Sequence, residues 1–337
     1  MMVKRWAIFL TLMGCVDLFS FNALAQELKS LEAGAKKEGK LNLYGSMRED
    51  EAKPVLDNFE RRYPGIKIDY FRSSDEKLAS RILAEAKAKT YNFDALISSG
   101  SWDIKNVGMV LKWSSPSASG INPDLLDPDG MATPVYINTN VIQYNTRLVG
   151  KADVPKSYED LAQPKWKGKL CLEDSDFEWF VGVQAFMGKE KALDLFKRIA
   201  ANQPAIRNGH GLLSDLVSAG ECPIAINNYG NQVARAQKKG APTDFVALNP
   251  VVTLVVPAVI SKNAPHLNAG KLYVNWISSK EGQEFIVKNG GRIPVRVDVD
   301  PDPPKLTKGL KLQVSKRLHG KELKDVQALY RQIWHGR

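Results

Sequence analysis

Nine polar residues follow apolar runs at the spacing of strand ends. Ser46 and Arg48 follow Leu41-Asn42-Leu43-Tyr44-Gly45, Ser73 and Ser74 follow the run from Ile66 to Phe71, and Ser98 and Ser99 follow Ala95-Leu96-Ile97. Farther on, Ser175 follows Leu170-Cys171-Leu172, and Asn228 and Tyr229 follow Pro223-Ile224-Ala225-Ile226. Hydroxyls, an amide, a phenol and a guanidinium are hydrogen-bond donors matched to the oxygens of a phosphate ester, phosphonate or carboxylate. Each bond to a charged group contributes roughly 1.5–3 kcal/mol, so four or five, less ordering and desolvation, give a Kd near about 1 μM. The set makes no catalytic combination. The chain has no Gly-x-Gly-x-x-Gly after a strand, no phosphate loop ending in Gly-Lys-Ser/Thr, no His-Glu-x-x-His and no Gly-x-Ser-x-Gly elbow. Gly209-His210-Gly211 has room for a base, although a single histidine in a glycine-rich turn is more often a cap. Cysteine and histidine show no metal-ligand spacing, so neither a metal nor a cofactor is expected.

The elements that must position these residues alternate. Ser46 precedes Glu49, and Ser73 precedes Glu76, at capping-box spacing, which predicts helices starting there. Val55, Leu56, Phe59 and Tyr63 continue the first helix on one face, and Leu78, Ile82 and Leu83 continue the second. A strand feeding a helix start leaves unpaired backbone N–H groups at the strand's carboxyl end, where an anion is favoured. Arg48 opposes the helix dipole by roughly 0.3–1 kcal/mol. It either turns toward a negative ligand or is a surface charge offset by Glu49, Asp50 and Glu51. Asp174 and Asp176 either favour the following helix start or hold an amine. Trp102 and Trp179 lie at helical spacing, which favours a core role over stacking on a ligand.

After three such units the pattern breaks at a long strand from Met131 to Tyr144, and a second series opens at Lys169. A second long apolar run, Val251 to Ile260, carries the chain back. Two α/β lobes joined by two crossing segments follow: 26–134 with 255–337, and 135–254. Residues 1–25 read as a signal peptide, with Lys4 and Arg5 before an apolar run and Ala23-Leu24-Ala25 as the cleavage site. Leu12-Met13-Gly14-Cys15 offers a second reading, a lipid anchor at Cys15. Cys171 and Cys222 either pair in the oxidising compartment or remain as buried thiols. Residues 305–337 hold nine Lys and Arg against Glu322 and Asp325, which is +7 of the formal +10, and residues 26–304 carry only +2. A near-neutral body with a basic tail and no interleaved aromatics excludes a nucleic-acid groove and leaves the tail as a solvated or docking face.

Several segments together resemble a type II periplasmic solute-binding protein, the receptor of an ABC importer, in the group that includes the ferric-iron-binding proteins. They are Leu43-Tyr44-Gly45-Ser46, Asp94-Ala95-Leu96, Pro164-Lys165-Trp166-Lys167-Gly168-Lys169, Ile226-Asn227-Asn228-Tyr229, Trp276-Ile277 and Gly290-Gly291-Arg292-Ile293-Pro294. The resemblance implies an α/β chain of two Rossmann-like lobes joined by two crossing hinge strands. It also implies a monomer in the periplasm that is not an enzyme and delivers a small ligand to a permease by hinge closure. Iron-binding members resemble one another in a tyrosine pair, a histidine after the first strand and an acid after the third. Here Tyr229-Gly230 replaces the pair, Arg48 stands near the histidine position and Ser98-Ser99 carries no carboxylate. An oxyanion is therefore the expected ligand. Ferric iron on Tyr229 with a synergistic anion is the alternative, and a cleft enzyme acting on a small anion is the alternative of another class.

Overall fold

The computed structural model describes residues 25–336. The Cys15 anchor site and the expected leader, apart from its last residue, lie outside the described residues. Among those described, no helix is long and apolar enough to cross a membrane.

The chain opens with helix α1 (25–38) and then runs through β1 (Lys40–Gly45), α2 (Glu49–Arg62), β2 (Lys67–Arg72), α3 (Asp75–Lys87), β3 (Ala95–Ile97) and α4 (Ser101–Asn106). The long strand is β4 (Thr133–Asn145). The second series comprises β5 (Leu170–Glu173), α5 (Phe177–Met187), α6 (Lys189–Ala200), β6 (Ala205–Arg207), α7 (His210–Ala219), β7 (Ile224–Tyr229) and α8 (Gly230–Lys238). After β8 (Thr243–Val246) and the return strand β9 (Val251–Ile260) come α9 (Leu267–Ser278), α10 (Lys280–Gly290), β10 (Leu312–Val314) and α11 (Gly320–His335).

Two compact units result. Among the described residues the first comprises 25–119, Asp127–Thr133 and Ala258–Ser279; the second comprises Gly120–Leu126, Pro134–Pro257 and 280–336. In the first, β1 pairs parallel with β2 and β3, and β3 pairs antiparallel with Ala258, Val259 and Ile260 of β9. Tyr44, Leu78, Ile82, Phe93, Leu96 and Ile104 form one of its cores. α4 stops at Asn106, and Gly108 takes a left-handed φ of 76° before Val110 bridges Ser261.

In the second unit, β5 lies between β6 and β7 in parallel, and β4 runs antiparallel to β7 and β8. Its main core gathers Trp179, Phe180, Phe196, Tyr330 and Trp334. Placing residues 280–337 with the first lobe therefore requires correction. They cluster with the second unit, where α11 buries Tyr330 and Trp334 against α5 and α6. The open question about cysteine resolves as a disulfide between Cys171 on β5 and Cys222 just before β7.

Candidate functional site

In the first unit, β1 ends at Gly45, and Ser46 N–H donates to the Ile97 carbonyl at 3.2 Å. Helix α2 starts at Glu49 with Arg48, not Ser46, in the cap position, and Arg48 makes no capping bond. Its guanidinium is 55% exposed and forks onto Asp50, Nε to Oδ1 at 3.0 Å and Nη2 to Oδ2 at 3.2 Å. Ser74, also one residue later than expected, caps α3 without a side-chain bond, and Ser73 N–H donates to the Gly45 carbonyl. Ser98 and Ser99 are not available as free donors. Both hydroxyls, with the Ser99 N–H, donate to Asp75, and Ser98 is fully buried. Asp75 is thus the acid at the end of β3, supplied from the first turn of α3 rather than from its own strand. Gly100 permits this approach, since a Cβ there would stand 2.8 Å from the Asp75 carbonyl oxygen.

In the second unit, Ser175 is exposed, and both its N–H and its hydroxyl donate to the buried Glu173. Glu173 also accepts Gly209 N–H at 2.9 Å, and burial raises its pKa despite those donors. Asp176 caps α5 by accepting Trp179 N–H at 3.3 Å. Its Oδ2 accepts from Asn140 Nδ2 and from Asn227 Nδ2. Burial first, and then the charges of Glu173 and Glu178, push its carboxyl well above the usual range. Trp179 is core, as expected.

Asn228 departs from its expected role, because it is fully buried and its amide is engaged behind the surface. Its Nδ2 donates to Gln143, and its Oδ1 accepts Tyr229 N–H at 2.8 Å. His210, read from sequence as a cap or a base and not among the nine candidates, stands beside Tyr229. Its ring stacks on Tyr229 with centroids 3.4 Å apart, its Nδ1 lies 3.3 Å from Asn228 Oδ1 and its Nε2 lies 3.8 Å from Asp176 Oδ2. Burial lowers its pKa to about 3, so the ring is neutral. Tyr229 thus has a histidine stacked on it, and through that ring an acid nearby. The only sequence signal was the glycine turn itself.

Tyr229 precedes the first turn of α8 and makes no side-chain cap there. Asn231 in that turn is 1% exposed, and neither its Nδ2 nor its Oδ1 has a partner. Thr139 Oγ1 is also unpartnered, 2.9 Å from where a Cβ on Gly230 would stand. Among the described residues, no three His, Cys, Asp or Glu side chains group as metal ligands.

The strand ends of both units are crowded with polar side chains, and comparison with known proteins gives the family. Residues 55–312 match the family of bacterial extracellular solute-binding proteins, and the chain belongs to that family, within the group of type II periplasmic binding proteins that includes ferric-iron binders. It is 23% identical over 264 residues to the Fe(3+)-binding periplasmic protein of Serratia marcescens, covering 73% of this chain and 76% of that one. It is 26% identical over 186 residues to a putative 2-aminoethylphosphonate-binding periplasmic protein of Salmonella typhi, covering 52% and 55%. Its fold is that of iron-bound HitA from Pseudomonas aeruginosa, with a TM-score of 0.73 at 22% identity over 87% of this chain and 99% of the other. These relatives are binding proteins, not enzymes.

Proposed function

We propose that this solute-binding protein takes a small oxyanion (a phosphate ester, phosphonate or carboxylate) and hands it to the permease of an ABC importer. The observation that carries this reading is Asn231, a fully buried amide in the first turn of α8 with donor and acceptor both unmet; the unmet Thr139 hydroxyl lies against Gly230, the residue before it. A buried, unsatisfied polar group costs about 1–3 kcal/mol, which a ligand oxygen at a helix start offsets. The putative aminoethylphosphonate-binding relative supports the class. In the first unit Ser46, Arg48, Ser73 and Ser74 stand at two helix starts without side-chain caps, and they are the donors proposed there. Arg48 would exchange its exposed fork on Asp50, worth no more than about 1 kcal/mol, for the ligand. The same reading has the leader 1–25 removed on export, leaving a monomeric protein outside the cytoplasm.

The test is calorimetric titration with ethylphosphonate. Arg48→Ala weakens binding about tenfold or more while leaving the ligand-free melting temperature unchanged. An unaltered affinity removes Arg48 from the site.

One observation favours a second reading, ferric iron as cargo: Tyr229 has a neutral imidazole stacked on it, and the Serratia relative is an Fe(3+)-binding protein. Ferric citrate would then give a tyrosinate absorbance that Tyr229→Phe abolishes.

A further inference from the structure

The second unit carries a chain of hydrogen bonds that fixes the tautomer of His210. A backbone N–H can only donate, so the bond from Tyr229 N–H orients the Asn228 amide with Oδ1 on that side. Asn228 Nδ2 therefore donates to Gln143 Oε1, and Gln143 Nε2 donates in turn to Thr243 Oγ1 at 2.8 Å. Thr243 gives its own proton to the Tyr144 carbonyl at 3.1 Å, so the order cannot be reversed. With Asn228 Oδ1 an acceptor, His210 Nδ1 must hold the ring's single proton, and Nε2 is a bare lone pair.

That lone pair faces another acceptor, Asp176 Oδ2 at 3.8 Å, and among the described residues no hydrogen bond reaches Nε2. The same Asp176 oxygen is held by Asn140 Nδ2, and the other atom of that amide, Asn140 Oδ1, is buried without a partner. The lone pair on Nε2 and the Asn140 oxygen are met by no donor among the described residues, and Asp176 Oδ2 is met only by two side-chain amides. Nor, among the described residues, does any lysine or arginine form an ion pair with Asp176 or with neighbouring Glu173. Buried acids without a counter-charge are costly and ordinarily have a cation or proton supplied.

We propose that the second unit contains a seat for a primary ammonium group, formed by Asp176, Nε2 of His210 and Oδ1 of Asn140, so that the solute is an amino-oxyanion rather than a plain anion. This deepens the oxyanion reading and rests on it. An ammonium nitrogen about 2.8 Å from both Nε2 and Oδ2 closes a triangle on their 3.8 Å edge and keeps one proton for a further acceptor.

Titration with 2-aminoethylphosphonate and with ethylphosphonate, which differ by the amine alone, tests the seat. The amine raises affinity about tenfold or more in the wild-type protein. Asp176→Asn and His210→Phe, the latter keeping a ring on Tyr229, each bring the ratio of the two affinities down to about one. Equal affinities in the wild type overturn the seat and leave the oxyanion reading intact. Binding of neither phosphonate overturns both. Ferric citrate binding that disappears in the same two variants overturns the ammonium assignment in favour of a metal cargo.

Discussion

Asp127 of the first unit and the Glu173–Asp176 pair of the second are buried acids held in opposite ways. In the first, Asp127 has Lys105 as a counter-ion, with the N–H groups of Met131 and Ala132 added, and Asp94 accepts from Asn42 N–H, His266 N–H and the His266 ring. In the second, Glu173 and Asp176 are held by amides, hydroxyls and backbone N–H groups, with no cation among the described residues. Hydrogen bonds alone do not hold these carboxyls in their usual range, and both are pushed up. Asp127 is pulled down, because Lys105 and the two N–H groups outweigh the effect of burial. A buried acid neutralised by lysine in one unit, beside a pair left without a cation in the other, marks where an external charge belongs.

The largest test of this contrast asks whether the units are separable in stability. Trp334 on α11 is buried among Trp179, Phe196 and Tyr330, all in the second unit. Trp334→Ala should cost about 3–5 kcal/mol. Scanning calorimetry should show that loss confined to one transition, with the first unit's melting unchanged. A drop shared by both transitions would show that the units unfold together and that the comparison describes one cooperative body.

Next in size is a pair of substitutions expected to have opposite signs. Lys105→Met strips the counter-ion from Asp127, whose side chain is 1% exposed, and should cost about 1–3 kcal/mol. Asp176→Asn removes an acid that has no counter-ion and places an amide near His210 Nε2. Ligand-free melting should hold or rise, by up to about 1 kcal/mol in stability. Destabilisation by both would mean that Asp176 has a compensation equal to that of Asp127.

Much of this contrast was legible in the sequence, and its limits have physical causes. The alternation of strand and helix, the long strands β4 and β9 and the polar strand ends follow from apolar periodicity, which is local. The helix starts were displaced because serine and glutamate at capping spacing compete with neighbouring caps: α2 begins after Arg48 and α3 after Ser74. Asn228 was misjudged because β7 runs on through Asn227-Asn228-Tyr229, residues of mixed strand preference, and alternation with Ile224 and Ile226 then turns Asn228 inward. The basic charge of 305–337 reads as a solvated or docking face, whereas α11 buries Tyr330 and Trp334 against a surface that lies far away in sequence. His210 and Asp75 reach the strand ends only through the tertiary fold, from turns whose composition reads as ordinary capping.

The smallest effect is a pH slope, and its sign separates the units most cleanly. A carboxyl lowered in the folded state, such as Asp127, adds stability above the ordinary carboxylate range and loses it as pH falls through its folded pKa. Asp176 is raised, so the folded protein binds its proton more tightly than the unfolded chain does. Its contribution is therefore complete below the ordinary range and declines as pH rises toward the folded pKa. Between about pH 4 and about pH 7, wild-type stability relative to Asp176→Asn should fall with pH by less than about 1.4 kcal/mol per unit. Denaturant titrations of the two proteins at several pH values measure this difference directly. An unchanged slope in Asp176→Asn assigns the titration to Glu173, the other raised acid of the cluster. Saturating 2-aminoethylphosphonate should flatten the wild-type slope, because an ammonium beside Asp176 favours the ionised carboxylate and removes the proton that the folded protein would otherwise hold.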